Sequence, residues 1–431
     1  MRRFIYLFLF PALGYAQTLW TLEDCINHAL EKNISIKQSE IDLSASDVDK
    51  LQARGAFVPS LNSNMTYSLN EGKNINPVTN QFENTFFQSA SGGVSMDMTL
   101  FAGLRNWRQL KRAELGRMAA QYNLEKMKDD IVLMVINAYL DVLSNKEQLK
   151  NLKMQSKISK QQLERTKDLI EAGSLPKGDM YEAESQVFAQ EQQIIATENM
   201  LFISKMGLAQ LLLLKDYQNF EIADTSFDVP ITDVLSKNPN EIFQRAKEVV
   251  QDTKIAQANV ELAENSLRLA KSAYSPRLAA QWGYNTRWSK SQAQNFLDQL
   301  DANKGMYAGL GLSIPILNGF STKSNIKRQQ LNLLKAEWNK EQAVLNLERT
   351  VYQAYTDASN ARKLFEASEK TMQAKEQSYL YSKERHDVGL MTTFDFNQAK
   401  TQYENAENEY IRAKYKYIFK IKVLQYYFGE K

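Results

Sequence analysis

Apolar residues in this chain recur at two different periods, and the changes of period mark its elements. From about 104 to 172, and again from about 320 to 388, they recur at three- and four-residue steps, with no proline in either interior. Leu124, Met127, Ile131, Met134 and Ala138 form the stripe in the first stretch; Leu347, Val351, Ala354, Ala358 and Ala361 form it in the second. This spacing predicts the seam of a coiled coil. Such a helix extends about 100 Å at 1.5 Å per residue. No ordinary globular core needs that length, so the element has a distance to cross. Each stretch starts just after a glycine (Gly103, Gly319) and ends at another (Gly173, Gly389), with an aspartate six residues on (Asp179, Asp395). A return helix is predicted from each aspartate, to Leu214 and Phe428, giving helical hairpins over about 104–214 and 320–428.

Ahead of each hairpin the period falls to two. Leu61, Ser63, Met65, Tyr67 and Leu69 alternate with Asn62, Asn64, Thr66 and Ser68; Val94, Met96, Met98 and Leu100 alternate with Ser95, Asp97 and Thr99. Leu278, Ala280, Trp282 and Tyr284 oppose Gln281 and Asn285, and Leu310, Leu312, Ile314 and Ile316 mark a fourth strand. The predicted strands cover about 59–70, 86–102, 277–287 and 305–318. One apolar and one polar face over ~10 residues fits a membrane-barrel strand; a soluble sandwich alternates too, and the strands alone leave both open. A charge on a lipid face costs roughly 2–4 kcal/mol at mid-membrane, which puts Asp97 on the water-filled side of a barrel. The polar stretches 71–85 and 287–304 read as outer loops. Helices are expected before the first and third strands, over about 21–57 and 238–274. Thr21 with Asp24 resembles a capping box and Pro239 sits at an early helical position, while Pro59 and Pro276 close these helices.

The two halves align with one another. Pro59 pairs with Pro276 (276 − 59 = 217), and the same offset matches Ala53 with Ala270, Leu61 with Leu278 and Tyr67 with Tyr284. After the next loop the offset is 216 and stays there, pairing Gly103 with Gly319, Lys111-Arg112 with Lys327-Arg328, Ala138-Tyr139 with Ala354-Tyr355, Gly173 with Gly389 and Asp179 with Asp395. So many unlike residues on one offset point to a duplicated helix–strand–strand–long helix–helix unit. The first repeat covers 17–214, a linker 215–237 and the second repeat 238–431.

Composition narrows the function. Arg2 and Arg3, the apolar run Phe4 to Leu13 and the small residues before Gln17 read as a signal peptide over 1–16. Without those two arginines the formal charge falls from +3 to +1, so no basic field for nucleic acid remains. The run Lys414-Tyr415-Lys416-Tyr417-Ile418-Phe419-Lys420 reads as an amphipathic part of the return helix. No later stretch has eighteen apolar residues in a row, so a mature chain that spans a membrane does so as a closed β-barrel. The single cysteine, Cys25, reads as a buried small side chain. With two histidines, His28 and His386, on separate elements and one cysteine, no His- or Cys-based metal site and no catalytic constellation is expected, and no cofactor. Four strands cannot close a barrel, for which about eight is the minimum, so a membrane-spanning chain must associate. Three copies supply twelve strands.

The order helix, Pro-Ser-Leu strand, Leu100-Phe101-Ala102-Gly103 or Ile316-Leu317-Asn318-Gly319 strand end, long helix, glycine turn and return helix, twice behind a signal peptide, resembles the TolC family of outer-membrane efflux proteins. The resemblance covers essentially the whole mature chain. It implies a mainly α fold with a membrane β-barrel: a homotrimer with a twelve-stranded barrel on a periplasmic α-helical barrel, set in outer-membrane lipid. It implies a passive, non-enzymatic exit duct that docks a periplasmic adaptor and an inner-membrane pump or transporter. The family's Val-Gly-Leu tip is matched by Val388-Gly389-Leu390; the first tip, Gly173-Ser174-Leu175, keeps the glycine. Asp179 and Asp395 fall where the family places carboxylates at the periplasmic aperture, although aspartate at a helix start is also a plain N-cap. The family prototype has a tyrosine and an arginine in its closed-state latch where this chain has His386 and Met391, so Arg385 or Lys177 is the candidate latch partner here. The competing reading is a soluble periplasmic coiled-coil scaffold or adaptor.

Overall fold

The computed structural model describes residues 19–75, 81–217, 219–223, 229–230, 232–290, 292 and 294–430. The expected signal peptide lies outside the described residues. The elements run α1 (Leu22–Lys32), α2 (Ile34–Gly55), β1 (Ser60–Ile75), β2 (Phe82–Phe101), α3 (Arg105–Glu171), α4 (Lys177–Leu211), α5 (Pro239–Val249), α6 (Gln251–Lys271), β3 (Arg277–Ser289), α7 (Phe296–Ala302), β4 (Gly305–Ser313), α8 (Ser321–Asp387) and α9 (Thr393–Phe428). α3 and α8 are each 67 residues long.

The expected helix over 21–57 is two helices, broken at Asn33, and that over 238–274 is broken at Val250; both residues are extended, with ψ of 134° and 138°. The Asn33 amide explains the first break. Its Oδ1 accepts from Ser35 N at 2.9 Å and its Nδ2 donates to the Leu211 carbonyl at 3.1 Å, so the side chain restarts one helix while tying it to the end of another. At Thr21 the capping box forms as the spacing suggests. The strands run beyond the alternation that announces them. Residues 71–75 and 82–85, read as loop, continue the β1–β2 ladder, with Glu71 opposite Phe86 and Ile75 opposite Phe82. The 287–304 stretch holds the end of β3 and the helix α7. β4 ends at Ser313, just before Pro315, which has no N–H for the ladder.

The chain forms two compact units that cut across the sequence repeats. One comprises residues 40–123 and 252–343. Its sheet has the order β1-β2-β3-β4, antiparallel throughout. The register aligns the apolar faces: Leu61, Met96 and Trp282 are successive cross-strand partners, Trp282 continues to Ala308, and Val94 pairs Tyr284, which pairs Met306. That face is open to solvent, with Leu61 67%, Met65 87% and Leu310 71% exposed. The opposite face carries Asn62, Ser95, Asp97 and Gln281. Gly283 lets the Tyr307 ring lie over it: a Cβ there would sit 2.5 Å from ring carbons, so a side chain at this position turns the half-exposed ring aside.

The other unit holds the described residues up to Ser39, together with 124–251 and 344–430. Its core includes Ile242, Phe243 and Ala246 of α5, Val351, Ala354 and Ala358 of α8, and Ile421 and Leu424 of α9. Tyr355 donates to the Leu235 carbonyl at 3.2 Å. Around the first hairpin, Tyr139 bonds the Trp20 and Ala223 carbonyls in the same way. Cys25, fully buried, stands where Ile242 stands on the earlier offset (242 − 25 = 217), and burial pushes its thiol up to about 12. It packs as a small hydrophobe and is unreactive at neutral pH. The stripe expected on α3 needs one correction: Met134 is 53% exposed, while Val135 and Tyr139 are buried in its stead. The connector 215–237 is more than a surface element, since Phe220, Ile222 and Val234 are buried.

Candidate functional site

Both hairpins of the second unit turn on glycine. Gly173 and Gly389 have φ of 74° and 76°, the left-handed region open to glycine at no steric cost. Gly173 N bonds the Ile170 carbonyl and Ser174 N the Leu169 carbonyl; Gly389 N bonds His386 and Leu390 N bonds Arg385. Both turns are thus Schellman caps, which satisfy the last carbonyls of the long helices. No atom lies within 4 Å of where a Cβ would sit on either glycine, so each backbone stays open to an approaching partner. Val388 and Leu390 are each 69% exposed.

The two turns border a cleft of about 870 Å³ lined by residues of both hairpins, among them Leu169, Leu175, Asp179, His386, Leu390 and Phe396. The return helices start differently. At α9 Thr392 is the cap: its hydroxyl donates to Asp395 Oδ2 at 2.8 Å and accepts from Asp395 N at 3.1 Å. α4 starts at Pro176 with no side-chain cap, leaving Asp179 in the first turn beside the cleft. The His386 ring stacks on Phe396, centroids 4.7 Å apart, with Nε2 3.5 Å from Thr393 Oγ1 and Nδ1 buried without a hydrogen-bond partner. Burial holds its pKa below the usual histidine value, reinforced by Arg165 and opposed by Asp387 and Asp179. Arg385 donates to the Leu390 carbonyl of its own turn at 3.4 Å. The ion pair that joins the hairpins here is one the sequence did not suggest, Arg165 with Asp387 at 3.2 Å. Nothing in the spacing of two residues 222 apart could mark it.

Further along the hairpins the packing is polar. Lys400 and Glu404, 4% and 7% exposed, lie 3.8 Å apart. Glu404 accepts from Gln190 at 2.9 Å, Lys400 donates to Ser159, and Gln155 donates to Glu407 at 2.8 Å. Burial raises the pKa of both glutamates and lowers that of Lys400, in each case against the charged form. Among the described residues no cluster of His, Cys, Asp and Glu is arranged to hold a metal ion, and no helix is long and apolar enough to cross a membrane. Asp97 lies exposed on the polar face of the sheet, opposite Ser60 and Gln281.

The profile of the family described as "Outer membrane efflux protein" matches residues 25–212 and 242–425. The outer membrane protein TolC of Vibrio cholerae is 23% identical, over 100% of this chain and 96% of its own length. The alkaline protease secretion protein AprF of Pseudomonas aeruginosa is 21% identical, over 95% of this chain and 84% of its own. Among solved structures, the CmeC outer membrane channel of Campylobacter jejuni superposes with a TM-score of 0.78 at 16% identity, covering 95% of this chain and 85% of that one. VceC of Vibrio cholerae gives 0.78 at 14%, covering 95% and 96%. These matches favour a transport channel over a soluble scaffold. With its open amphipathic sheet and paired helical hairpins, the chain belongs to the outer membrane efflux protein family and is a non-enzymatic efflux or secretion channel of the outer membrane.

Proposed function

We propose that the chain is an internal duplicate that works as a homotrimer: three four-stranded sheets close a twelve-stranded barrel, and the helical hairpins form a tunnel. The observation that carries this is the sheet. Its apolar face is continuous and solvent-exposed, and its outer strands β1 and β4 each have one unpaired edge. In lipid an open edge is not tolerated, and joining β4 of one copy to β1 of the next removes every edge. Asp97 then faces the lumen. Gly173, Ser174, Leu175, Val388, Gly389 and Leu390 form the tips that receive a periplasmic adaptor, itself joined to an inner-membrane pump or transporter. Asp179, Asp395, Arg385 and His386 lie at the periplasmic aperture. The test is the native mass of detergent-extracted protein beside an unboiled gel. A heat-sensitive species of three chains is expected; a monomer that stays soluble without detergent refutes the reading.

A further inference from the structure

The base of the sheet carries a cation-lined cavity that the channel reading leaves unused. It measures about 610 Å³ and lies among the first turns of α3 and α8, the end of α6 and the start of β3. Arg105 and Arg112 of α3 and Arg277 of β3 line it, together with Ser275, Asn325 and Gln329. Among the described residues no carboxylate lines it, so three guanidinium groups share one cavity with no countercharge in its walls.

These arginines do not hold the fold together. Arg108, on the same helix, does: its guanidinium bonds the Arg268 carbonyl and the Ser272 hydroxyl, and its own carbonyl accepts from Asn265 at 2.8 Å. Arg105 and Arg112, three residues before it and four after, are exposed, and their side chains make no hydrogen bond or ion pair among the described residues. Arg277 has a neutral partner, Thr99 Oγ1 at 3.3 Å. The first turn of α3 has no acidic residue, although a helix start favours one, so the positive end of the helix dipole adds to the guanidinium charge. The cavity lies on the polar side of the sheet. Arg277 pairs Ser313 in the ladder and stands four residues before Gln281, on the face that carries Asp97.

We propose that this cavity is a binding site for an organic oxyanion travelling along the duct, a small molecule bearing phosphate or carboxylate groups. Guanidinium forks match both groups, with two parallel N–H···O bonds to each. The volume fits a small organic molecule, since ligand clefts run to about 300–1,000 Å³. Arg105 and Arg112 stand two helical turns apart, about 10 Å along the axis, a spacing that suits more than one anionic group. Three copies set nine guanidinium groups in a collar at the base of the barrel, where a ring of cations favours anions. The site lies within one chain; its place in a duct rests on the trimer reading.

Pyrophosphate and citrate are the probes. Detergent-extracted protein is titrated with each by calorimetry, and channels in planar bilayers are exposed to each from one side. The wild type is expected to bind them and to lose conductance over the same concentration range. Arg105→Gln with Arg112→Gln removes only side chains without internal partners. That double variant is expected to keep the wild-type native mass while binding weakens at least about tenfold, because each charge-assisted hydrogen bond lost is worth about that factor. Adding Arg277→Gln is expected to deepen the loss and to shift the reversal potential in a salt gradient towards cations. Lys323→Gln, Lys327→Gln and Arg328→Gln together remove the same charge from α8 outside the cavity and are expected to leave both readouts unchanged. Binding of one probe alone supports the site and fixes its anionic group. No binding by the wild type, equal binding in the double variant, or an equal loss in the α8 variant overturns the site. Arginine-dependent binding by a protein of monomeric native mass keeps the site and overturns the trimer reading.

Discussion

Replacing Glu404 by leucine leaves the Lys400 ammonium, 4% exposed, without its carboxylate. Ser159 remains as its hydroxyl acceptor, but the charge is uncompensated. Breaking a buried pair from one side costs about 3–5 kcal/mol, most of it the stranded charge. At 1.4 kcal/mol per tenfold, local opening of α9 from the first hairpin becomes at least about 100-fold more frequent. The Lys400→Met, Glu404→Leu double variant removes both charges and recovers most of this loss. It does not recover all, because the Gln190 amide then lacks an acceptor, at about 1–3 kcal/mol. Hydrogen exchange on the detergent-extracted protein reads the effect directly in peptides covering 155–160 and 397–408. The expected order of protection is wild type, then double variant, then Glu404→Leu. Unchanged exchange in Glu404→Leu, or a double variant less protected than the single, refutes the account of the seam.

Acidification is expected to loosen the second tip. The folded pKa of His386 is depressed by burial, so its contribution is present above the unfolded value of about 6.5 and is lost as pH falls through the folded value. Exchange of tip amides between Asp387 and Thr393, corrected for intrinsic rates, should rise between pH 7.5 and 5.5 in the wild type and not in His386→Phe; equal rises in both count against a histidine origin. In the sheet, Gly283→Ala drives a methyl into the Tyr307 ring. The ring is half exposed and turns aside, at the cost of an off-rotamer side chain, about 0.5–1.5 kcal/mol, and a slightly smaller heat-resistant fraction on unboiled gels is expected, relieved by adding Tyr307→Ala. No relief would mean the glycine matters for another reason.

Local chemistry made much of the molecule readable in advance. Apolar period, proline and glycine are properties of neighbouring residues, and they located the long helices, the four strands and the turns at Gly173 and Gly389, where φ is positive. The capping box at Thr21 was legible for the same reason. The break at Asn33 was not, because its stabilising contact is the Leu211 carbonyl, 178 residues away. Nor was the exposure of Met134: the heptad pattern marks a stripe, and which edge of it turns inward depends on what packs there. The Arg165–Asp387 pair and the burial of the i,i+4 pair Lys400–Glu404 are likewise decisions of the fold, since a charge's environment is set by elements brought together from distant parts of the chain. Sequence alone specified most of the elements, because secondary structure is largely encoded at short range. Tertiary structure decided which faces are covered, because burial is a relation between distant segments.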